Sequence, residues 1–250
     1  MTKKNEIATT EEKAVVAVSD NVTVDIAKED MMIPFLKVIQ SLSDEVMPGK
    51  DKYNDAIRPG DIYDSVTMAN FKDAKAIICG LKKYYAEWTP EVRGQLLGKH
   101  PANSPTVLNA IKEEKTTDKG GTFYSLKTTT GNDLVETYGV VMILQTKDGL
   151  VLPGVLTLSK TSFMVGKQLS TMLAIRQMNG TPVFTLSTTS VSNTKGSWFK
   201  PTFTFDSYAT DSSLIDMAKG MVPIVDKILF GNNAGEGESV VINDDDDTLI

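Results

Sequence analysis

The sequence predicts a mainly β protein with helices, an α+β fold built around a small barrel. Two strand-like hairpins with a helix-like stretch between them lead to this prediction. The first hairpin has Lys147-Asp148-Gly149 at its turn, and Asp-Gly is typical of tight hairpin turns. The predicted strands are residues 134–146, 150–159, 182–191 and 197–205, and the predicted helix is residues 160–178.

Two further strand-like segments precede these elements, at residues 74–89 and 122–128. Three strands, a helix and two more strands are the order of a five-stranded Greek-key barrel of the OB type. We therefore expect an OB-like barrel with one added helix at each end, at residues 31–42 and 213–230. The polar stretch 91–119 is expected to form a large loop or an irregular helical excursion.

Charge is distributed unevenly along the chain, whose formal net charge is −6. Residues 236–250 carry six acids and no base, and residues 1–30 carry seven acids and four lysines. The remaining body, residues 31–235, therefore holds 22 bases and 19 acids, a net charge of +3. This pattern predicts a flexible N-terminal arm (1–30), a single nucleic-acid-binding domain (31–230) and a flexible acidic tail (231–250).

Some classes of protein are excluded by what the sequence lacks. No run approaches the roughly 18 apolar residues that cross a membrane, and the first residues have no apolar signal core, so we expect an intracellular protein without membrane contact. Cys79 is the single cysteine and His100 the single histidine, so a zinc site would need mostly carboxylate ligands, which disfavours one. Phosphate-binding and nucleophile motifs are absent. We therefore expect a binding protein without catalytic residues, metal or cofactor.

Aromatic and basic residues interleave along three predicted strands of the body. Single-stranded nucleic acid needs this mixture, because lysines follow its backbone while aromatic rings stack on unpaired bases for about 1–3 kcal/mol per base. Arg58, Arg93 and Arg176 are the only arginines among 26 bases, which disfavours the reading of base edges in a duplex. The candidate nucleic-acid-binding residues are Lys82, Lys83, Tyr84, Tyr85, Trp88, Arg93, Tyr124, Lys127, Trp198 and Lys200.

Strand alternation divides the candidates of residues 82–88 between two faces. It places Lys82, Tyr84 and Trp88 on one face. It places Lys83 and Tyr85 on the other. Core packing is the alternative to base stacking for each aromatic candidate. Three further aromatic residues are expected in the core: Phe199, Phe203 and Phe205.

The chain ends in an acidic block with an apolar tip. It consists of Asp244, Asp245, Asp246, Asp247, Thr248, Leu249 and Ile250. Such a block cannot bury enough apolar surface to offset its ordering entropy and self-repulsion. We expect a solvated tether for a basic groove on a partner, which also competes with nucleic acid for the body. A tail that only aids solubility is the alternative.

Three segments of the body add a family resemblance. They are Ile33-Pro-Phe-Leu-Lys-Val-Ile-Gln-Ser-Leu-Ser-Asp-Glu-Val46, Gly60-Asp-Ile-Tyr63 and Tyr84-Tyr-Ala-Glu-Trp-Thr-Pro90. With the acidic tail and the OB-like order of elements, they resemble the single-stranded DNA-binding proteins of tailed bacteriophages. The resemblance implies an OB-fold core that coats single-stranded DNA in replication, recombination or repair, in the cytoplasm of the host cell.

The same resemblance implies that the tail recruits replication proteins, such as a polymerase, a helicase or primase, or a nuclease. Tails of that family usually end on an aromatic residue, whereas this chain ends on Leu249-Ile250. Small OB-fold proteins often multiply their grooves by dimerising or by coating cooperatively, so a homodimer is also expected as an alternative to a monomer.

A second function fits the same sequence. A non-catalytic protein-interaction or structural assembly factor would use the apolar stripe of residues 213–230 as its docking surface and the acidic tail for solubility. A nuclease with carboxylate-bound magnesium is a third reading, and no clustered carboxylates in the body's sequence support it.

Overall fold

The computed structural model describes residues 33–64, 66–67, 69–91, 94–116, 120–193 and 196–231. By its contacts the chain divides into two compact units, Met1–Met32 and Ile33–Ile250, and the described residues all belong to the second. The predicted N-terminal arm, Arg93 and the acidic tail from residue 232 onward lie outside the described residues.

The described residues form mainly β structure with a few helices. The strands are β1 (Phe35–Val38), β2 (Ile62–Asp64), β3 (Ala74–Trp88), β4 (Leu96–Pro101), β5 (Ile111–Thr116), β6 (Thr122–Lys127), β7 (Asp133–Gln145), β8 (Val151–Ser159), β9 (Pro182–Asn193) and β10 (Gly196–Tyr208). The helices are α1 (Pro105–Leu108), α2 (Phe163–Arg176), α3 (Ser212–Met221) and α4 (Val225–Phe230).

The ten strands of the described residues belong to one sheet. Its main path runs in the order β10-β9-β3-β7-β8-β1-β2, and β4, β5 and β6 branch from this path. Only the β1–β8 pair is parallel among the described strands. β3 and β7 pair along almost their whole length, and β3 pairs on its other side first with β9 and then with β4. The β3–β7 pair therefore joins the main path to the branch.

Helices cover both faces of this sheet. On the face that we call inner, α2 adds Val165 and Leu169 to a core that includes Phe184. On the opposite, outer face, α3 and α4 add apolar residues that include Val225 and Leu229. The central strand β7 is consequently buried on both faces over residues 139–144, and such a strand reads as a continuous apolar run.

A β-bulge between Ile78 and Gly80 changes which face the second half of β3 presents. Before the bulge, Ala76 faces the inner core with α2. After it, Gly80 faces outward, since a Cβ built there would lie 2.5 Å from Val225 of α4. The extra residue shifts the alternation by one position, so Tyr84 also lies on the outer face.

The sheet curls into a half-barrel. As a result, β10 at one end of the strand order meets the turn after β1, near the other end, at Gln40. Gln40, in the turn after β1, donates from Nε2 to the Phe199 carbonyl oxygen at 2.9 Å and accepts from the Phe199 N–H at 2.8 Å. This amide makes the two hydrogen bonds that a neighbouring strand would make with β10. The Thr188 hydroxyl donates to the Gly60 carbonyl oxygen beside it. We call the Gln40–Phe199 pair of hydrogen bonds the Gln40 clasp.

β10 is also protected along its free edge by a proline. Backbone groups alternate in direction along an antiparallel strand, so Pro201 and Phe203 direct theirs to the same side as Phe199. Pro201 has no N–H to offer there, which suits proline to an edge strand. After Phe199, the next backbone N–H that points to the free edge of β10 is therefore that of Phe203.

The mainly β class with helices and a barrel-like sheet are confirmed, as are both predicted hairpins and α2. The sheet has ten strands in its described part instead of the predicted five. The helix predicted at residues 31–42 is wrong, because Phe35–Val38 forms β1. This segment pairs with β8 and β2, and long-range pairing outweighs its helix-like apolar spacing.

Two other segments differ from the prediction in detail. The stretch 91–119 was expected to be irregular, but its described residues form β4, α1 and β5. The predicted C-terminal helix is present but divided into α3 and α4 at a turn that contains Pro223, whose missing N–H interrupts helical hydrogen bonding. Of the helices among the described residues, none combines the length and apolar character needed to cross a membrane.

Gln40→Ala tests the Gln40 clasp by removing both of its hydrogen bonds. We expect the free energy of unfolding to fall by about 2 kcal/mol, at about 1 kcal/mol per lost hydrogen bond. Urea denaturation followed by tryptophan fluorescence measures the change. The control Gln95→Ala lies at an exposed position and should change stability by less than about 0.5 kcal/mol. Equal stabilities of the two variants would contradict the role of the clasp.

Gly139→Ala tests the close approach of α4 to the outer face of β7. A Cβ at Gly139 would lie 2.6 Å from Leu229 Cδ2 and 3.0 Å from Tyr84 Cε1, and both neighbours are buried. We expect a loss of about 1–3 kcal/mol from overpacking. Gly98→Ala is the matched control, because its Cβ would first meet His100 at 3.4 Å. A Gly139→Ala protein as stable as Gly98→Ala would show that α4 does not pack rigidly here.

Candidate nucleic-acid interface

Two candidate residues of β3 lie beneath α4 on the outer face. Tyr84 is 1% exposed, and its ring meets that of Phe230 edge-on, with 5.7 Å between ring centroids. Lys82 Nζ lies 3.3 Å from Asp226 Oδ1, at the exposed border of the same helix. Tyr84 therefore packs in the core and has no ring face open to a base, whereas Lys82 is a paired surface charge.

Lys83 and Tyr85 meet Glu136 of β7 on the inner face. Glu136 Oε1 lies 2.6 Å from Lys83 Nζ and accepts from the Tyr85 hydroxyl at 2.9 Å. Burial opposes ionisation of Glu136, but the hydrogen bonds from Lys83 and Tyr85 outweigh it and lower the pKa of this carboxyl. Burial and the contact with Glu136 raise the pKa of Tyr85. Sequence reasoning missed Glu136, which lies directly across the ladder from Tyr85.

His100 belongs to a second hydrogen-bonded group, centred on Glu87 of β3. His100 Nε2 lies 2.6 Å from Glu87 Oε2, and Asn132 Nδ2 donates to Glu87 Oε1 at 2.7 Å. Burial opposes ionisation of Glu87, but the hydrogen bonds from Asn132 and His100 lower its pKa. Both carboxylate oxygens are thus occupied, and the group ties β4 and the turn after β6 to β3.

The remaining candidates between β3 and β6 are dispersed. Trp88 is half-buried at the end of β3. Tyr124 is 63% exposed on the β5–β6 hairpin, which joins the main sheet through only two residue pairs between β6 and β7. Lys127 Nζ lies 3.0 Å from Asp133 Oδ1. Arg93 is outside the described residues. The structure therefore does not bring the candidates of β3 and β6 together on one surface.

Trp198 and Lys200 occupy the same face of β10. Trp198 lies opposite Val191 of β9 and is half-buried. Its indole Nε1 is one of three buried side-chain atoms in the described part of the chain that have no hydrogen-bond partner. Lys200 lies opposite Thr189 and at the wall of a groove.

This groove, of about 250 Å³, lies between α2 and β10. Val165, Gln168 and Met172 line it from the helix, at the spacing of one helix face. Lys200 and Phe203 line it from the strand, together with two threonines. We call it the α2–β10 groove.

The chain that builds the α2–β10 groove contains no acidic residue. Between Asp148 and Asp206 lie 57 residues with five bases and no Asp or Glu. The five bases are Lys160, Lys167, Arg176, Lys195 and Lys200. Lys82 and Lys83 of β3 and Lys127 of β6, by contrast, each lie within 3.3 Å of a carboxylate oxygen. We call residues 149–205 the acid-free segment.

Two bases of α2 lie against aromatic rings. The Arg176 guanidinium carbon lies 4.2 Å from the centroid of Phe205, and Lys167 Nζ lies 5.1 Å from that of Phe163. Cation–π contacts of this kind hold the charge at the surface without neutralising it. Sequence reasoning had summed charge over the whole body, and a running charge count would have revealed the acid-free segment.

Groups that could support metal or thiol chemistry are sparse in the described part of the chain. There, no three side chains of His, Cys, Asp or Glu lie close enough to hold a metal ion. Burial raises the pKa of Cys79 to about 11, so the reactive thiolate is not formed at neutral pH.

Glu136→Gln tests the charged contact with Lys83 and should act in a pH-dependent way. Because the pKa of Glu136 is lowered in the folded protein, its ionised form stabilises the fold above the ordinary value of 4.5. That contribution is lost as the pH falls through the folded-state pKa. The stability difference between wild type and Glu136→Gln should therefore be largest near neutrality and shrink in acid. Urea denaturation across this range measures it, and a difference independent of pH would contradict the assignment.

Comparison with known proteins gives one family. A family model described as Pam3 phage gp34-like protein matches residues 4–228. No curated protein and no solved structure matches the chain. The matched range contains all the described strands and the whole α2–β10 groove. The chain therefore belongs to the Pam3 phage gp34-like family of bacteriophage proteins.

Proposed function

We propose that this protein binds single-stranded DNA without sequence preference and protects it during phage replication, recombination or repair. The observation that carries the proposal is the acid-free segment, which builds the α2–β10 groove. A polyanion gains affinity from lysines and arginines that release its counterions. The segment contributes five bases and no carboxylate of its own, and Lys200 lines the groove. We expected an OB-like barrel to be the binding platform, and in this proposal the curled sheet has that role.

The same region supplies the other contacts that a single strand needs. Trp198 adds an aromatic ring on the same face of β10 as Lys200, and aromatic faces stack on bases of any sequence. Thr189 lies opposite Lys200, and Thr202 and Thr204 line the groove. Hydroxyl groups of this kind bind phosphate oxygens. The bound strand thus follows the bases of α2 and β10.

The candidate residues on β3 and β6 have a secondary part in this proposal. Lys82, Lys83 and Lys127 would have to exchange a carboxylate partner for a phosphate, which reduces their net gain. Tyr124 and Trp88 keep exposed ring surface and extend the path of a longer strand across the branch.

Lys167→Ala combined with Lys200→Ala tests the proposed phosphate contacts. In fluorescence anisotropy with labelled oligo-dT, log K should fall with log salt for the wild type. The slope should become shallower by about 1.4 in the double variant, at about 0.7 per lost phosphate contact on a single strand. Lys219→Ala on α3, paired with Asp216, is the control and should keep the wild-type slope. A wild type that does not bind, or a double variant with the same slope, would refute the proposal.

The acidic tail is proposed to compete with DNA and to recruit replication proteins. A protein ending at residue 235 lacks Asp244 to Asp247 and should bind oligo-dT more tightly at low salt. We expect a gain of about three- to tenfold, which declines as salt screens the charges. A full-length protein with these four aspartates changed to asparagine keeps Glu236 and Glu238 and should recover most of this gain. Unchanged affinity in both would exclude a competing tail and leave DNA binding by the body intact.

A protein-interaction factor is the second candidate function. Of the apolar stripe expected to dock a partner, Leu229 packs on the sheet, whereas Met217 and Ile224 are exposed and stay available to a partner. The β5–β6 hairpin also favours this function, since it carries exposed Ile111 and Tyr124. Quenching of tryptophan fluorescence by oligo-dT distinguishes the two functions, because stacking on Trp198 requires DNA binding.

A further inference from the structure

The α2–β10 groove has the size of a pocket for one base. Its volume of about 250 Å³ lies below the roughly 300–1,000 Å³ of pockets for drug-sized ligands. A single planar ring system fits this space, whereas several linked nucleotides do not. A strand bound along α2 would therefore lie outside the groove and turn one base into it.

The walls of the groove divide apolar and polar groups as a base requires. Val165 and Phe203 are largely buried and form the apolar floor of the groove, whereas Met172 is partly exposed and provides apolar surface to a ring face. The thioether of Met172 adapts to rings of different shape. Gln168 lies between Val165 and Met172 along the helix and lines the same groove. Its amide carries both donors and an acceptor, which match the mixed edge of an unpaired base.

The free edge of β10 adds backbone groups to this wall. The outward groups of Phe199 are occupied by the Gln40 clasp, and Pro201 has no N–H. Phe203 is the next residue whose N–H and carbonyl point to the free edge, and it lines the groove. A base edge can therefore meet the strand much as a neighbouring strand would.

Charge specifies which kind of planar ligand the groove suits. Lys200 lines the groove, and the acid-free segment supplies no carboxylate to its walls. A cationic ligand would meet uncompensated positive charge. A neutral base linked to an anionic phosphate satisfies both the apolar walls and Lys200.

We propose that the α2–β10 groove captures one base of the bound strand, with Gln168 hydrogen-bonded to the base edge and Lys200 holding the adjacent phosphate. This inference rests on the proposed function and adds to it a residue that sets base preference. Binding along the strand is otherwise tolerant of sequence, so the preference arises at one nucleotide position.

Gln168→Ala tests the pocket in the full-length protein, with labelled oligo-dT, oligo-dA and oligo-dC compared by fluorescence anisotropy. Wild-type affinities should differ by about tenfold across the three homopolymers, which is the discrimination expected from one well-made base contact. Gln168→Ala should narrow this spread to below about threefold while leaving the salt slope unchanged, because no phosphate contact is lost. Gln177→Ala, just beyond α2 and exposed, is the matched control and should keep the wild-type spread.

Photocrosslinking supplies a second readout that does not depend on the variant. Oligonucleotides with 5-iodouracil should crosslink wild-type protein at residues of α2 or β10, such as Met172 and Phe203. Alanine is favourable inside a helix, so Gln168→Ala is expected to fold, and its unfolding curve verifies this.

The outcomes separate the pocket from the proposed function. If wild-type protein binds none of the homopolymers, the proposed function fails and the pocket fails with it. If all three bind but Gln168→Ala keeps the wild-type spread, or if crosslinks map outside α2 and β10, DNA binding stands and the base pocket is overturned. A narrowed spread together with crosslinks in α2 or β10 supports the pocket.

Discussion

The curled shape of this protein depends on a hydrogen-bonding requirement at one strand edge. β10 ends the strand order, and the amide of Gln40 satisfies its outward groups at Phe199 from the opposite end of the same sheet. An amide is the side-chain group that resembles the backbone most closely, so it can close a ladder without adding a strand. Because the clasp brings β1 to β10, the inner face becomes concave and α2 packs on it through Val165 and Leu169. The α2–β10 groove is the space left beside that helix.

The bulge in β3 determines which face each basic residue of the second half of the strand presents. Beyond it, basic residues alternate between the faces and each meets a carboxylate, Lys82 with Asp226 outside and Lys83 with Glu136 inside. These pairs lie at the border of α4 and between β3 and β7. The acid-free segment contributes no carboxylate of its own, so its bases interact only with acids of other segments, as Lys167 does with Glu136. A modest net charge over the whole body therefore conceals a stretch of the chain in which bases occur without acids.

Local signals made much of the fold predictable, and long-range pairing explains what was not. The hairpin around Asp148 follows from turn chemistry, and the helix α2 from the start and stop signals that flank it. β1 does not, because its partner Val155 lies 120 residues away and no local pattern encodes that pairing. At the proposed site, alternation along β10 had already made Trp198 and Lys200 candidates. Gln168 was missed, because a glutamine on a helix has no distinguishing pattern until the opposite wall of a groove is known.

The Gln40 clasp also sets an order in time. Its two partners are 159 residues apart in the chain, so during synthesis at about 5–20 residues per second Phe199 follows Gln40 by roughly 8–32 s. During this interval β1 exists without the strand edge that the turn after it will join. Asp226 of α4 follows Phe199 in the chain, so its ion pair with Lys82 also forms after the clasp. The closed half-barrel and its outer helices are therefore completed only after most of the described chain has been synthesised.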